Sequence, residues 1–180
     1  MKMSGLPNQS CFKPIKPSSR RTSISHTKPQ SITPRDDHLK MPRWTIHYPA
    51  GAISRDDKDQ IAEKVTQLYT DLGLPAFWVN VFFHEHSVGG FYAGGKANHN
   101  SVFFHIDHAA RKPQSEEARL MFVDRVDGIM RPVLGEKCMK WEFNVYDHPR
   151  DNWRINGMIP PMDHPEVLKQ WIETNEPVPY

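Results

Sequence analysis

Cysteine is scarce: 2 residues in 180, and Cys11 and Cys138 stand too far apart in kind and number to make a disulfide framework or a zinc knuckle. Both read as reduced thiols, which places the chain in a reducing, cytoplasmic compartment. Long apolar runs are missing as well. Nothing approaches the roughly 18 consecutive apolar residues of a membrane-spanning helix, and the N-terminus lacks the apolar core of a secretory signal. A membrane role is therefore excluded at this level. Acids are nearly absent from the start of the chain. Residues 1–40 hold eight of the 23 lysines and arginines but only Asp36 and Asp37 of the 21 acids. The slight basic excess belongs to that leader, and the rest of the chain carries net negative charge. Nucleic-acid binding by the folded part is disfavoured, since an electrostatic footprint for phosphate belongs on the domain itself.

What is present changes character at Met41-Pro42. Residues 1–41 read as a disordered basic leader or a mis-assigned start. An organelle transit peptide is the weaker alternative, because Pro7, Pro14, Pro17, Pro29 and Pro34 break the amphipathic helix such peptides use. From Pro42 the chain is long enough for one domain, 42–180, with a single core. If translation starts at Met41 and that methionine is trimmed, Pro42 becomes a free secondary amine. As an internal residue it carries an amide nitrogen with neither proton nor basic lone pair.

Trp44, Ile46 and Tyr48 alternate with Arg43, Thr45 and His47, the period of a strand with one buried face. Ser54 precedes Asp56 and Asp57 as a helix N-cap with acids in the first turn. The helix runs to about Leu72, with Ile61, Ala62, Val65, Leu68, Tyr69 and Leu72 on one stripe and Gly73 closing it. Ala76 to Phe83 reads as a second strand and Ser101 to Ile106 as a third. A second helix starts near Ser115 and ends before Pro132 or within a turn of it, and Trp141 to Tyr146 is a further strand. Strand-helix-strand thus occurs twice. The predicted fold class is α/β: two fused β-α-β units forming a four-stranded, mainly parallel sheet with both helices on one face. The proline- and tryptophan-rich stretch after Asp147 is expected to wrap over the domain or a neighbouring subunit, with a short helix from Glu166 to Glu173.

A strand that begins at Pro42, followed by two such units, resembles the tautomerase superfamily with its amino-terminal proline. The segments 77–95 and 105–111 look most like its cis-3-chloroacrylic acid dehalogenase-like branch. The run Arg150-Asp151-Asn152-Trp153-Arg154-Ile155-Asn156-Gly157 before Pro160-Pro161 looks like the fungal members of that branch. The resemblance implies a homotrimer that needs no cofactor and acts on a small enolisable 2-oxo acid or unsaturated carboxylate. Pro42 is then the proton-transfer residue, its amine lowered in pKa by an apolar pocket and cationic neighbours. Arg111, with Lys112 beside it, matches the carboxylate clamp to within a residue. The dehalogenating relatives carry two arginines there; this chain offers an arginine and a lysine. They place a histidine in the first helix where this chain has Tyr69, which is either a hydrogen-bond donor to substrate or a core residue. Their water-activating glutamate before a late glycine is absent, since Ile155 and Asn156 precede Gly157, and this argues against hydrolytic dehalogenation. Glu142, Arg150 and Asn156 are further candidates for polar groups in the pocket. Hydratase or decarboxylase chemistry is the catalytic alternative, and a non-catalytic interaction protein is the alternative if the leader is retained.

Other patterns compete for the same residues. His84 and His86, two apart on a strand, point the same way, and His105 and His108 are candidates to complete a metal site. The carboxylate such a site wants is missing from the loop that follows, so histidines bonding to loop backbone are preferred and no metal is expected. Gly89-Gly90 and Gly94-Gly95 precede a strand, not a helix, and so mark a turn and not a phosphate loop. Trp78, Phe82, Phe83 and Phe103 are expected in the core or at subunit contacts.

Overall fold

The computed structural model describes residues 41–109 and 115–180. The first strand, β1, spans Met41–Pro49. Its even-numbered residues carry the apolar pattern: Trp44 and Ile46 are fully buried and Tyr48 nearly so. Helix α1 spans Arg55–Thr70 and is opened by a capping box, in which the Ser54 hydroxyl accepts from the Asp57 amide while the Asp57 carboxylate takes the Ser54 amide. It ends through Gly73 at φ 85°, a left-handed turn a side chain would oppose. The next strand, β2, is Asn80–His86.

The second strand was expected from Ala76, and here the structure differs. Ala76–Trp78 instead form a single 3-10 turn. Trp78 is buried and meets Trp171 edge-on at 5.8 Å, so tertiary packing of a large ring outweighs the strand propensity of the segment. The glycine loop after β2 folds into a ribbon, β3 at Tyr92–Ala93 paired with β4 at Lys96–Ala97. Gly94 and Gly95 both have positive φ, 58° and 75°, the requirement of a two-residue hairpin turn.

The second unit repeats the first. Strand β5 covers Ser101–Ala109, α2 covers Glu116–Glu136 and β6 covers Lys140–His148. α2 was expected to end before Pro132 or within a turn of it, and it ends at Glu136, about one turn beyond. Pro132 is exposed while Ile129, Met130, Val133 and Leu134 are buried on the opposite side. Burying each such side chain contributes about 1.5–3 kcal/mol, comparable in sum to more than the roughly 3 kcal/mol a helical proline costs.

The strands assemble in the order β2-β1-β5-β6. β1 with β2 and β5 with β6 are parallel, while β1 and β5 meet antiparallel. This is the predicted α/β architecture, two fused units in a mainly parallel four-stranded sheet. Register puts Trp44 opposite Ile106 and Ile46 opposite Phe104, and these residues face the helices. Trp44, Phe104 and Phe143 stack in sequence, with centroids 5.6 and 4.9 Å apart. The third helix, α3, spans Pro165–Thr174. It lays the fully buried Trp171 against Phe77 and Trp78, so the C-terminal segment covers its own domain. Among the described residues no helix is long and apolar enough to cross a membrane.

Candidate active site

Pro42 is the second residue of β1 and is buried. It lies on the helix-covered face, directly opposite His108 of β5, and Asp147 of β6 stands opposite His108 on its other side. These positions belong to three adjacent strands because the in-phase residues of paired strands project to one face. His108 is fully buried, as is Tyr69 above it on α1.

Three of these buried polar groups form a chain. The Trp44 Nε1–H donates to the Tyr69 hydroxyl oxygen at 3.0 Å, and that hydroxyl lies 2.6 Å from His108 Nε2. Burial pushes the Tyr69 phenol far above its usual pKa, and the bond from Trp44 offsets this only in part. The phenol therefore stays protonated. Its oxygen is occupied as an acceptor, so its own proton goes to His108 Nε2, which assigns the imidazole proton to Nδ1. Nδ1 faces Asp147 Oδ1 at 3.9 Å, a distance for electrostatic attraction or a bridging water and not a direct bond.

Beside this array opens a cavity of about 620 Å³ between α2 and β6, lined by Leu72, Met121, Phe122, Phe143, Val145 and Asp147, with Arg119 and Arg125 from α2. Phe122 connects the two, its ring 5.0 Å from that of His108 and 6.2 Å from that of Tyr69. The arrangement offers an apolar chamber with cationic side chains, and behind Phe122 a buried imidazole–phenol pair. Arg119 is held by Glu116 one turn away.

The structure brings Pro42 and Tyr69 to the same region, both beside His108. Glu142 is exposed and pairs with Phe103, which puts it on the opposite face of the sheet from Pro42. Arg150 lies in a short turn after β6 and pairs with Asp163 at 3.3 Å. Asn156 is exposed at φ 49° in the turn bridged by Ile155 and Met158. Arg111 and Lys112 lie outside the described residues, as does the leader through residue 40. The candidate metal ligands divide: His84, His86 and His105 lie on the helix-free face, whereas His108 lies on the other. On that free face His47 Nδ1 is 2.9 Å from His86 Nε2, and the His47 ring stacks on those of His84, His86 and His105. Sequence reasoning missed Asp147, Arg119, Arg125 and the part His108 plays beside Tyr69. For His108 the even spacing from Val102 was a readable signal; the others depend on which helix face meets which strand.

Compared with known proteins, residues 41–176 match the family model described as "Putative oxalocrotonate tautomerase enzyme". A "probable enzyme" of solved structure from the thermophilic fungus Aspergillus fumigatus is 38% identical, covers 78% of this chain and 99% of its own, and superposes with TM-score 0.75. RhCC from Rhodococcus jostii is 35% identical over 77% of this chain and 99% of its own, with TM-score 0.73. A member of the cis-3-chloroacrylic acid dehalogenase family shares the fold at 20% identity and TM-score 0.58, covering 76% of this chain and 92% of its own. Among curated proteins none matches.

Proposed function

The chain belongs to the family of putative oxalocrotonate tautomerase enzymes, and from that premise we propose that it is a cofactor-independent tautomerase that uses Pro42 as its proton-transfer residue. The substrate class is a small enolisable 2-oxo acid or related unsaturated carboxylate. The observation that carries this reading is the position of Pro42, buried on the helix-covered face directly opposite His108. The domain of this reading is 42–180, freed of residues 1–41 by initiation at Met41 and trimming, or by cleavage.

In that form the prolyl nitrogen is a secondary amine, and burial disfavours its protonated state. The neutral amine takes a proton from the carbon beside the substrate carbonyl. The C–H electrons move into the enolate and an N–H bond forms; the ammonium then returns the proton to a different atom of the conjugated system. Arg111 serves as the carboxylate clamp with Lys112 beside it. Tyr69 acts through His108: its hydroxyl holds the imidazole in the tautomer with the proton on Nδ1. Arg150 and Asn156 remain candidates for polar groups of the pocket, although neither lines the cavity between α2 and β6. Glu142, on the opposite face, reaches a pocket only across a subunit boundary. A homotrimer is part of the reading, in keeping with fused 4-OT structures of this fold described as trimers.

A second reading, a non-catalytic interaction protein on the same scaffold, is favoured by one observation. β1 begins at Met41, whose side chain is buried and which pairs with Ala109, so the strand accepts a residue ahead of Pro42. The two readings are separated by experiment. The protein beginning at Pro42 should ketonise the enol of a small 2-oxo acid, followed by loss of ultraviolet absorbance. Pro42→Ala should bring the rate to background, and equal rates would refute the mechanism. Intact mass of the protein from its native cell should start at Pro42.

A further inference from the structure

On the helix-free side of the sheet, at the strand ends where β1 begins and β5 and β6 finish, a second cavity of about 360 Å³ is lined by Arg43, Asp107, His148, Asn152, Trp153 and Arg154. Three of these come from the run after β6 that marks the sequence, and the tautomerase reading gives them no task. Arg43 is the informative residue. Register places it directly across from Asp107, the pairing that charge alone would favour. The structure shows another choice. The Arg43 guanidinium lies over the Trp153 ring at 4.9 Å, while Asp107 accepts from His148 Nε2 at 2.7 Å and faces His105 Nε2 at 3.8 Å.

Stacking on an aromatic face satisfies the flat surface of a guanidinium and leaves its in-plane N–H fork available. Among the described residues the Arg43 fork meets no carboxylate or carbonyl. Arg154 is half-committed: its Nη1 donates to the Asp151 and Trp153 carbonyl oxygens at 2.7 and 2.8 Å, leaving Nε and Nη2. That bond pair also fixes the direction of the side chain. The cavity thus holds two guanidinium groups against one carboxylate, and that carboxylate is already hydrogen-bonded.

We propose that this cavity is a binding site for a small carboxylate, gripped by the free fork of Arg43 and by Arg154 at the edge of the Trp153 ring. The planar fork matches two coplanar oxygens, and the cavity volume admits a molecule of a few carbons. The Asn152 side chain lines the same space as a neutral polar group. The site lies on the sheet face opposite Pro42, so it stands whether or not Pro42 is catalytic.

Malonate titrated into the protein, followed by the indole Nε1–H resonances, should give saturable shifts at Trp153, assigned by its loss in Trp153→Phe. Arg43→Gln should weaken binding about tenfold or more, as expected for losing a hydrogen-bonded charge. Arg55→Gln, on α1, should leave it unchanged, and so should Arg111→Gln, which removes only the clamp proposed for catalysis. Should Arg43→Gln fail to fold, Arg43→Lys carries the test: charge without the fork should still weaken malonate severalfold. Absence of saturable binding, equal affinity in the Arg43 variants, or inorganic phosphate binding more tightly than malonate would each overturn the assignment.

Discussion

Replacing Tyr69 by phenylalanine removes one oxygen and tests the buried array directly. That oxygen accepts from Trp44 Nε1 at 3.0 Å and meets His108 Nε2 at 2.6 Å, and all three residues are fully buried. Phenylalanine keeps the ring and its packing on Phe122, so no large cavity forms. What changes is that an indole donor and an imidazole acceptor lose their partner where water does not reach. A buried polar group left unsatisfied costs about 1–3 kcal/mol. Two such groups, less the relief of no longer burying a hydroxyl, give a destabilisation of about 2–4 kcal/mol. For a domain of this size that lowers the melting temperature by on the order of 10 °C. Urea denaturation followed by far-ultraviolet circular dichroism measures it as a lower midpoint at unchanged slope. A Trp44→Phe, Tyr69→Phe cycle should show coupling of about 0.5 kcal/mol or more, since the two share one network. A loss below about 0.5 kcal/mol in Tyr69→Phe would mean that the hydroxyl is not the partner of both groups and would refute the tautomer assigned to His108.

Two further outcomes follow from other parts of the fold. His47 is held below its usual value of 6.5 by burial first and then by His84, His86 and His105. The folded state therefore binds fewer protons than the unfolded chain, so this contribution to stability is complete above pH 6.5 and drains away as pH falls through that value. Denaturation midpoints compared at about pH 7.5 and 5.5 should fall less in His47→Gln than in the wild type; parallel losses would contradict the linkage. Ser54→Ala removes the side-chain cap of α1 and should cost about 1 kcal/mol, while Ser54→Asp should be nearly neutral; a urea midpoint unchanged by alanine would count against the capping box.

Local chemistry determined most of the elements. The alternation through Trp44, Ile46 and Tyr48, the Ser54 cap and the stripe from Ile61 to Tyr69 are nearest-neighbour or single-period signals, and such signals need no knowledge of what lies across the fold. The two strand-helix-strand repeats and the parallel pairing within each followed from crossover geometry. The error came where a distant group intervened: Trp171 turns Ala76–Trp78 into a 3-10 turn.

The candidate sites divide in the same way. Pro42 stood out as a candidate because the proposed chemistry would be written in its own backbone nitrogen and its place at the start of a strand. The face it looks toward was not readable, because β1 and β5 meet antiparallel between two parallel pairs, and only that register sets Pro42 against His108 and sends Glu142 to the far side. Arg43 shows the same limit, since its choice of the Trp153 ring over Asp107 depends on a loop more than a hundred residues away. Residue type and spacing determine what a side chain can do; which partner it meets is decided by strand register and long-range packing, because those energies arise only between segments that the sequence keeps apart.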